Sequence, residues 1–122
     1  MSTWDSIIFS SDVVTDLFEE VSSLEDDELA EALRDACRLA AGDADDDDEA
    51  RAGLGAATVA AIWSGAPFSA GQLVDEYPFI REGIGSCPEE LREAAAEAFE
   101  VLVPGLPEDE QEAVEDFAEA VN

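Results

Sequence analysis

Hydrophobic residues recur along most of the chain every three to four positions, the spacing of one face of an α-helix. Four segments follow this pattern with acidic residues on the opposite face, and a fifth, rich in alanine and glycine, is apolar over most of its length. They cover approximately residues 12–21, 23–41, 49–64, 88–102 and 107–121. No segment alternates convincingly between polar and apolar residues as a strand would. The pattern therefore predicts an all-α fold, a compact bundle of about five helices.

Local signals place the start of each of these helices. Ser11 is a favourable N-cap for the first, and Ser22 with Glu25 forms the pattern of a capping box for the second. Pro88 and Pro107 stand where a proline opens a helix at its first position. The third helix is predicted to start near Asp48 or Glu49, where carboxylates favour the positive end of the helix dipole.

The third segment predicts a buried central helix rich in small residues. It reads RAGLGAATVAAIW, with Gly53, Ala57 and Ala61 spaced four apart along one ridge. Such a ridge lets another helix approach closely. A glycine inside a helix costs about 1 kcal/mol relative to alanine, so we expect Gly53 and Gly55 at tight contacts.

Length and composition favour one domain over residues 1–122, with an acidic loop at 43–48 and loops at 65–72 and 81–87. The uncharged segment 52–74 is interrupted by Gly65 and Pro67, so we expect it neither to span a membrane nor to anchor the chain. The first residues lack a basic region and a long apolar stretch, so no signal peptide is expected. The predicted location is the cytoplasm.

The charge excludes many kinds of chemistry. The chain has 32 acidic residues, five arginines, no lysine and no histidine, which gives a formal net charge of −27. Without histidine there is no Ser-His-Asp system and no imidazole acid–base catalyst; without lysine there is no Walker A lysine. Phosphate backbones and anionic lipids should repel the chain, so no direct nucleic-acid or membrane binding is expected. We predict a protein that is not an enzyme and needs no cofactor.

The densest acidic cluster follows the second helix and is the predicted binding patch. Its members are Asp43, Asp45, Asp46, Asp47, Asp48 and Glu49. Asp43, Asp45 and Asp47 match positions 1, 3 and 5 of an EF-hand loop, but Asp48 replaces the glycine of position 6 and Leu54 the glutamate of position 12. We therefore interpret the cluster as a solvated charge run and predict no dedicated metal site, with weak cation binding at the three aspartates as the alternative.

Four smaller features have structural interpretations. The Gly83–Gly85 stretch lacks the third glycine and the preceding strand of a phosphate-binding loop. Cys37 lies on an apolar helix face and is expected in the core, whereas Cys87 is expected to cap or pack at a helix start. Trp4 and Trp63 are expected to anchor the core, and neither cysteine indicates a disulfide framework.

Two stretches resemble a known family. Thr3-Trp4-Asp5, Phe9 and Ser11-Asp12 precede an amphipathic helix, and Asp48-Glu-Ala-Arg-Ala-Gly-Leu-Gly-Ala-Ala-Thr-Val-Ala-Ala-Ile-Trp-Ser-Gly-Ala-Pro is an alanine-rich helix ending in Gly-x-Pro. Together they resemble the small proteins grouped as domain of unknown function 4259, although Asp5 and Ile8 stand where that family has Gly and Pro. The resemblance implies a small acidic helical prokaryotic protein and carries no catalytic residues.

Three interpretations of the charge remain open. The acidic helix faces can bind a basic protein, as an inhibitor, an immunity protein or a mimic of DNA does. They can instead reflect a halophilic cytoplasm, in which salt screens dense carboxylates and the surface carries no information about partners. A carboxylate-based, metal-dependent enzyme is the third interpretation. The even spread of charge favours the second slightly, whereas the missing catalytic groups suit the first, which is the function that we predict. The oligomeric state stays open.

Overall fold

Residues 4–43, 47–66 and 75–121 are described in a computed structural model of the chain. Seven α-helices lie wholly within them: α1 (Trp4–Phe9), α2 (Asp12–Val21), α3 (Asp26–Asp43), α4 (Asp47–Trp63), α5 (Phe79–Glu82), α6 (Glu89–Leu102) and α7 (Glu108–Ala120). A 3₁₀ turn at Val103–Gly105 joins α6 to α7. These residues contain no strand, so the all-α prediction is confirmed. The five long helices are the five predicted ones, and α1 and α5 are additional.

Helix α4 is the centre of the fold. Every residue from Gly53 to Trp63 is buried. Helices α3 and α6 pack most extensively against it, and α1, α2, α5 and α7 make smaller contacts. Because other helices enclose α4, residues on all sides of this segment are buried. The sequence of the segment is therefore apolar on all sides and has no polar face.

The glycines of α4 allow close helix packing, as the sequence predicted. A methyl group added to Gly53 would overlap the side chain of Ala40 and lie 3.2 Å from the carbonyl oxygen of Ala36. A methyl group on Gly55 would lie 2.7 Å from a methyl carbon of Val14. Neither position has room for a side chain, so α4 approaches α3 at one glycine and α2 at the other.

The remaining long helices each bury one stripe against α4 or its neighbours, and the predicted inner faces are largely confirmed. The buried members of these stripes are Val14, Phe18 and Val21 on α2, Leu29, Leu33, Cys37 and Ala40 on α3, Leu91, Ala94, Ala95, Ala98 and Phe99 on α6, and Val114 and Phe117 on α7. The charged residues of these helices whose side chains are described are exposed or half-buried, as the helical spacing requires.

Several helix starts differ from the prediction. The predicted capping box of Ser22 and Glu25 is wrong. Helix α3 begins only at Asp26, and the Ser22 hydroxyl instead donates a hydrogen bond of 2.9 Å to the carbonyl oxygen of Glu19. Pro88 and Pro107 each precede a helix instead of opening it, and their carbonyl oxygens accept the first backbone hydrogen bonds of α6 and α7. Ser11 is the N-cap of α2, although its side chain makes no capping hydrogen bond.

Helix α1 was not expected from the pattern, and a buried hydrogen bond holds it against α4. The indole nitrogen of Trp4 donates to the hydroxyl oxygen of Thr58 at 2.8 Å. That hydroxyl in turn donates to the carbonyl oxygen of Leu54 at 2.7 Å. Trp4 is 1% exposed and Trp63 is 5% exposed, so both tryptophans anchor the core as predicted.

The predicted loops are shorter in the structure or lie outside the described residues. Arg81 and Glu82 belong to α5, so the loop predicted at 81–87 begins at Gly83. Most of the loop predicted at 65–72 lies outside the described residues. Gly65, just after α4, has a φ angle of 111°, a conformation that favours glycine.

Candidate functional site

The predicted acidic patch includes the end of α3 and the start of α4. Asp43 is the last residue of α3 and Asp47 the first of α4. Residues 44–46, which include Asp45 and Asp46, lie outside the described residues, as do the side chains of Asp43 and Asp47. Asp48 is exposed and Glu49 half-buried. The patch, and the weak cation site at Asp43, Asp45 and Asp47, therefore stay predictions.

The carboxylates that are described lie on the outer faces of the helices around α4. Thr58 is the one buried polar or charged residue of the described ranges. Exposed carboxylates follow the helical spacing on three helices: Asp12, Asp16, Glu19 and Glu20 on α2, Glu89, Glu93, Glu97 and Glu100 on α6, and Glu108, Glu112, Glu115 and Glu119 on α7. Since the neighbouring helices cover α4 on all sides, their outer faces point in different directions and the negative charge surrounds the bundle.

Two arginines form ion pairs within the described residues. Arg34 on α3 lies 2.9 Å from a carboxylate oxygen of Glu90, 3.6 Å from Glu31 and 3.5 Å from Asp35. Arg81 lies 3.2 Å from Asp75. Five arginines balance only a small part of the charge of 32 carboxylates, so most of the negative field reaches solvent.

A small pocket lies between the first turn of α3, the end of α4 and the turn after α5, and we call it the Trp63 pocket. Its volume is about 200 Å³. Trp63 and Phe79 contribute aromatic surface, while Asp27 and Glu82 contribute carboxylates. The other lining residues are Leu29, Ala30, Gly83, Ser86 and Pro88. No arginine lines this pocket, so neither carboxylate has a cation beside it there.

Contacts of Trp63 set the shape of the pocket. Its indole nitrogen donates a hydrogen bond of 2.9 Å to the carbonyl oxygen of Ile80. Its own carbonyl oxygen accepts a bond of 2.8 Å from the backbone amide of Gly85. Gly83 packs so closely on the indole ring that any side chain there would overlap the ring. The wall formed by α5 and its following turn is therefore fixed to the end of α4.

An adjoining groove already holds a guanidinium group. Asp27, Ala30 and Pro88 line both the Trp63 pocket and this groove, which Arg34 and Glu90 also line. Arg34 extends along this surface from α3 to the first turn of α6, where Glu90 binds it. This face of the molecule thus has two neighbouring acidic spaces. Arg34 occupies the groove, and no arginine lines the Trp63 pocket.

The cysteines are not arranged for chemistry. Cys37 is fully buried, and burial raises the pKa of its thiol to about 12. Burial also raises the pKa of Cys87, although Ser64 and Arg92 act in the opposite direction. Both are free thiols. The core position predicted for Cys37 is confirmed, and Cys87 packs half-buried next to Pro88, which takes the N-cap position of α6.

The stretch Gly83–Gly85 is a turn. Its three backbone amides donate to the carbonyl oxygens of Phe79, Arg81 and Trp63 respectively. Gly85 has a φ angle of 86°, which explains the need for glycine there. Because these amides are used within the protein, they are not available to a phosphate, in agreement with the interpretation from sequence.

The described residues form neither a metal site nor a membrane span. In the part of the chain that the structure describes, no three cysteine, aspartate or glutamate side chains are placed to hold a metal ion. Each helix there is too short or too polar to span a lipid bilayer.

Sequence reasoning did not find the Trp63 pocket, because its residues are far apart in the chain. Asp27, Trp63 and Glu82 stand in three segments, and no motif joins them. The one available signal was the tryptophan that ends an otherwise small-residue helix. No protein-family model, no curated protein sequence and no solved structure matches this chain.

Proposed function

We propose that the chain acts by binding a basic protein partner and carries out no catalytic step itself. The observation that supports this most directly is the excess of outward-facing carboxylates on a rigid helical frame, with a net charge of −27. Such a field steers cationic proteins into encounter and raises the association rate. A relation to the domain-of-unknown-function 4259 family is part of this proposal and adds no catalytic residue.

Occlusion is the mode of action that suits this surface, as in an inhibitor, an immunity protein or a mimic of DNA. On α7 the carboxylates of Glu108, Glu112, Glu115 and Glu119 recur along one exposed face. Residues four apart on a helix are about 6 Å apart along its axis. A row of fixed anions of this kind can compete for a cleft that normally binds a polyanion.

A second candidate is adaptation to a cytoplasm of high salt. It is favoured by the position of the charge, because exposed carboxylates lie on helices on different sides of α4. The complete absence of lysine points the same way. On this alternative the surface maintains hydration and has no partner.

Capture of partners by the folded chain and by an unfolded chain of equal charge tests the proposal. Leu33→Gln with Phe99→Gln removes two fully buried side chains without changing the net charge, and circular dichroism checks that this variant is unfolded. We expect the native chain to retain a defined basic protein from a lysate in about 0.15 M salt, and the unfolded variant to lose it. Equal capture by both would show attraction by charge alone and contradict the proposal.

The contribution of the acidic patch is tested in the same assay. Replacing Asp45, Asp46, Asp47 and Asp48 by asparagine removes four of the charges of the acidic patch. If the patch takes part in binding, we expect weaker capture. Unchanged capture would show that the patch is not part of the binding surface, and the binding would then be assigned to the acidic faces of the helices.

A further inference from the structure

We infer that the Trp63 pocket receives a basic side chain, arginine or lysine, of a protein partner. This inference rests on the proposed function, since it names the point on the surface at which a basic partner is held. It assigns the pocket to one inserted side chain and not to a free small molecule.

The chemistry of the lining fits a cation on an aliphatic stem. Asp27 and Glu82 are both exposed, and neither forms an ion pair within the described residues. The apolar floor suits the methylene stem of arginine or lysine, while the charged head stays near the carboxylates. Trp63 and Phe79 also line the pocket, at 5% and 9% exposure, so each offers the stem a small apolar surface.

In the adjoining groove this face of the molecule already binds one guanidinium group, that of its own Arg34. There Arg34 is held by Glu90 at 2.9 Å, with Glu31 and Asp35 at longer range. Asp27 lines both spaces, yet it is not part of the Arg34 ion pairs. Both spaces have carboxylates in their lining. In the groove the chain's own Arg34 binds to Glu90, whereas the Trp63 pocket is open to a cation from a partner.

Size and surroundings favour a partner side chain over a free ligand. The pocket has a volume of about 200 Å³, below the roughly 300–1,000 Å³ of pockets that enclose small-molecule ligands. Ile84, in the turn that forms one wall, is 44% exposed and offers apolar contact beside the pocket. A single long side chain inserts into such a space while the partner surface covers Ile84.

The two tryptophans allow a direct test by nuclear magnetic resonance. Trp63 lines the pocket and its indole N–H is bonded to the carbonyl oxygen of Ile80, whereas Trp4 does not line the pocket and its indole N–H is bonded to Thr58. The probe is the peptide acetyl-Gly-Ser-Arg-Gly-Ser-Arg-Gly-Ser-amide in 0.1 M potassium chloride, and the same peptide with glutamine for arginine is the control. We expect the arginine peptide to shift the Trp63 signal saturably and to leave the Trp4 signal in place.

A pair of charge-matched variants locates the binding. Asp27→Asn with Glu82→Gln removes two charges from the pocket, and Glu112→Gln with Asp116→Asn removes two from the exposed face of α7. We expect the pocket variant to weaken peptide binding about five- to tenfold, and the α7 variant to weaken it less than about twofold. Circular dichroism of both variants confirms that the fold is retained.

Each contrary result has a separate meaning. Equal weakening by both variants, or equal shifts of both indole signals, would overturn the inference and leave diffuse binding of basic partners in place. Binding of arginine methyl ester as tight as that of the peptide would also overturn it, in favour of a small organic cation. Failure of the peptide to bind, together with equal capture by the folded and the unfolded chain, would contradict the proposed function itself.

Discussion

Single glycines in this chain have opposite consequences, according to what surrounds them. Gly53 on α4 faces the side chain of Ala40 on α3, with no room for a methyl group. Gly42, inside the last turn of α3, has no atom within 4 Å of the position that a methyl group would take. Intrinsic helix propensity favours alanine over glycine at both positions, so only packing distinguishes the two.

We predict that Gly53→Ala destabilises the protein and that Gly42→Ala does not. Overpacking costs typically 1–3 kcal/mol, which should exceed the roughly 1 kcal/mol gained from helix propensity at Gly53. At Gly42 only the gain remains, and it is smaller than about 1 kcal/mol because the position is close to the helix end. Urea unfolding followed by circular dichroism measures both. A stabilising Gly53→Ala would contradict the close contact of α3 and α4.

The two thiols should differ in reactivity in the native protein. Cys37 is 0% exposed and burial raises its pKa to about 12, whereas Cys87 is half-buried. Because the thiolate is the reactive form, we expect Ellman's reagent at pH 8 to label Cys87 first. Cys37 should react only as fast as the protein unfolds, and both thiols should react at once in denaturant. Two equally fast native thiols would contradict the burial of Cys37.

The pKa of Cys37 also predicts how stability depends on pH. A thiol whose pKa rises from its ordinary 9.0 to about 12 on folding favours the folded state while it is protonated. Its contribution is complete below pH 9 and is lost as the pH rises from 9 towards 12, because the unfolded state then gains from ionisation. We expect the free energy of unfolding to fall more steeply above pH 9 in the native chain than in Cys37→Ala. Parallel pH profiles would contradict this.

At the scale of elements, the docking of α1 depends on one buried pair. The indole nitrogen of Trp4 has Thr58 as its partner, and both residues are buried. We predict that Thr58→Val costs about 1–3 kcal/mol, since it leaves the indole N–H without a partner while keeping the side-chain volume. Thr58→Ser keeps the hydroxyl and is the control. Hydrogen exchange of the α1 amides, with urea unfolding, measures the effect, and similar stability of both variants would contradict it.

The sequence predicted those elements whose structure depends on local periodicity. Helices α2, α3, α6 and α7 could be predicted because each repeats an apolar stripe over several turns. Helix α1 has six residues, too few for a stripe, and its place depends on Thr58, 54 positions away. The Trp63 pocket was not predictable either. Asp27, Trp63 and Glu82 come to line one pocket only because three elements pack together.

The whole molecule balances an apolar core against its own charge. One continuous core cluster extends from Trp4 to Val121 and includes the buried residues of α4. Around it, a net charge of −27 favours expansion through mutual repulsion of the carboxylates. Salt shortens the range of this repulsion, from a Debye length of about 10 Å at 0.1 M to about 3 Å at 1 M.

We therefore expect the melting temperature to rise with potassium chloride while folding stays cooperative at 0.1 M. The buried residues form one continuous core, so we expect screening to add to a stability that apolar burial already supplies. Far-UV circular dichroism with thermal melts at about 0.1 M and 3 M salt measures this. The variant Glu112→Gln with Asp116→Asn should show a smaller rise, because two of the repelling charges are gone. Absence of helical structure at 0.1 M salt would instead support adaptation to high salt. The surface charge would then have an explanation that involves no binding, and the main reason to expect a basic partner would be lost.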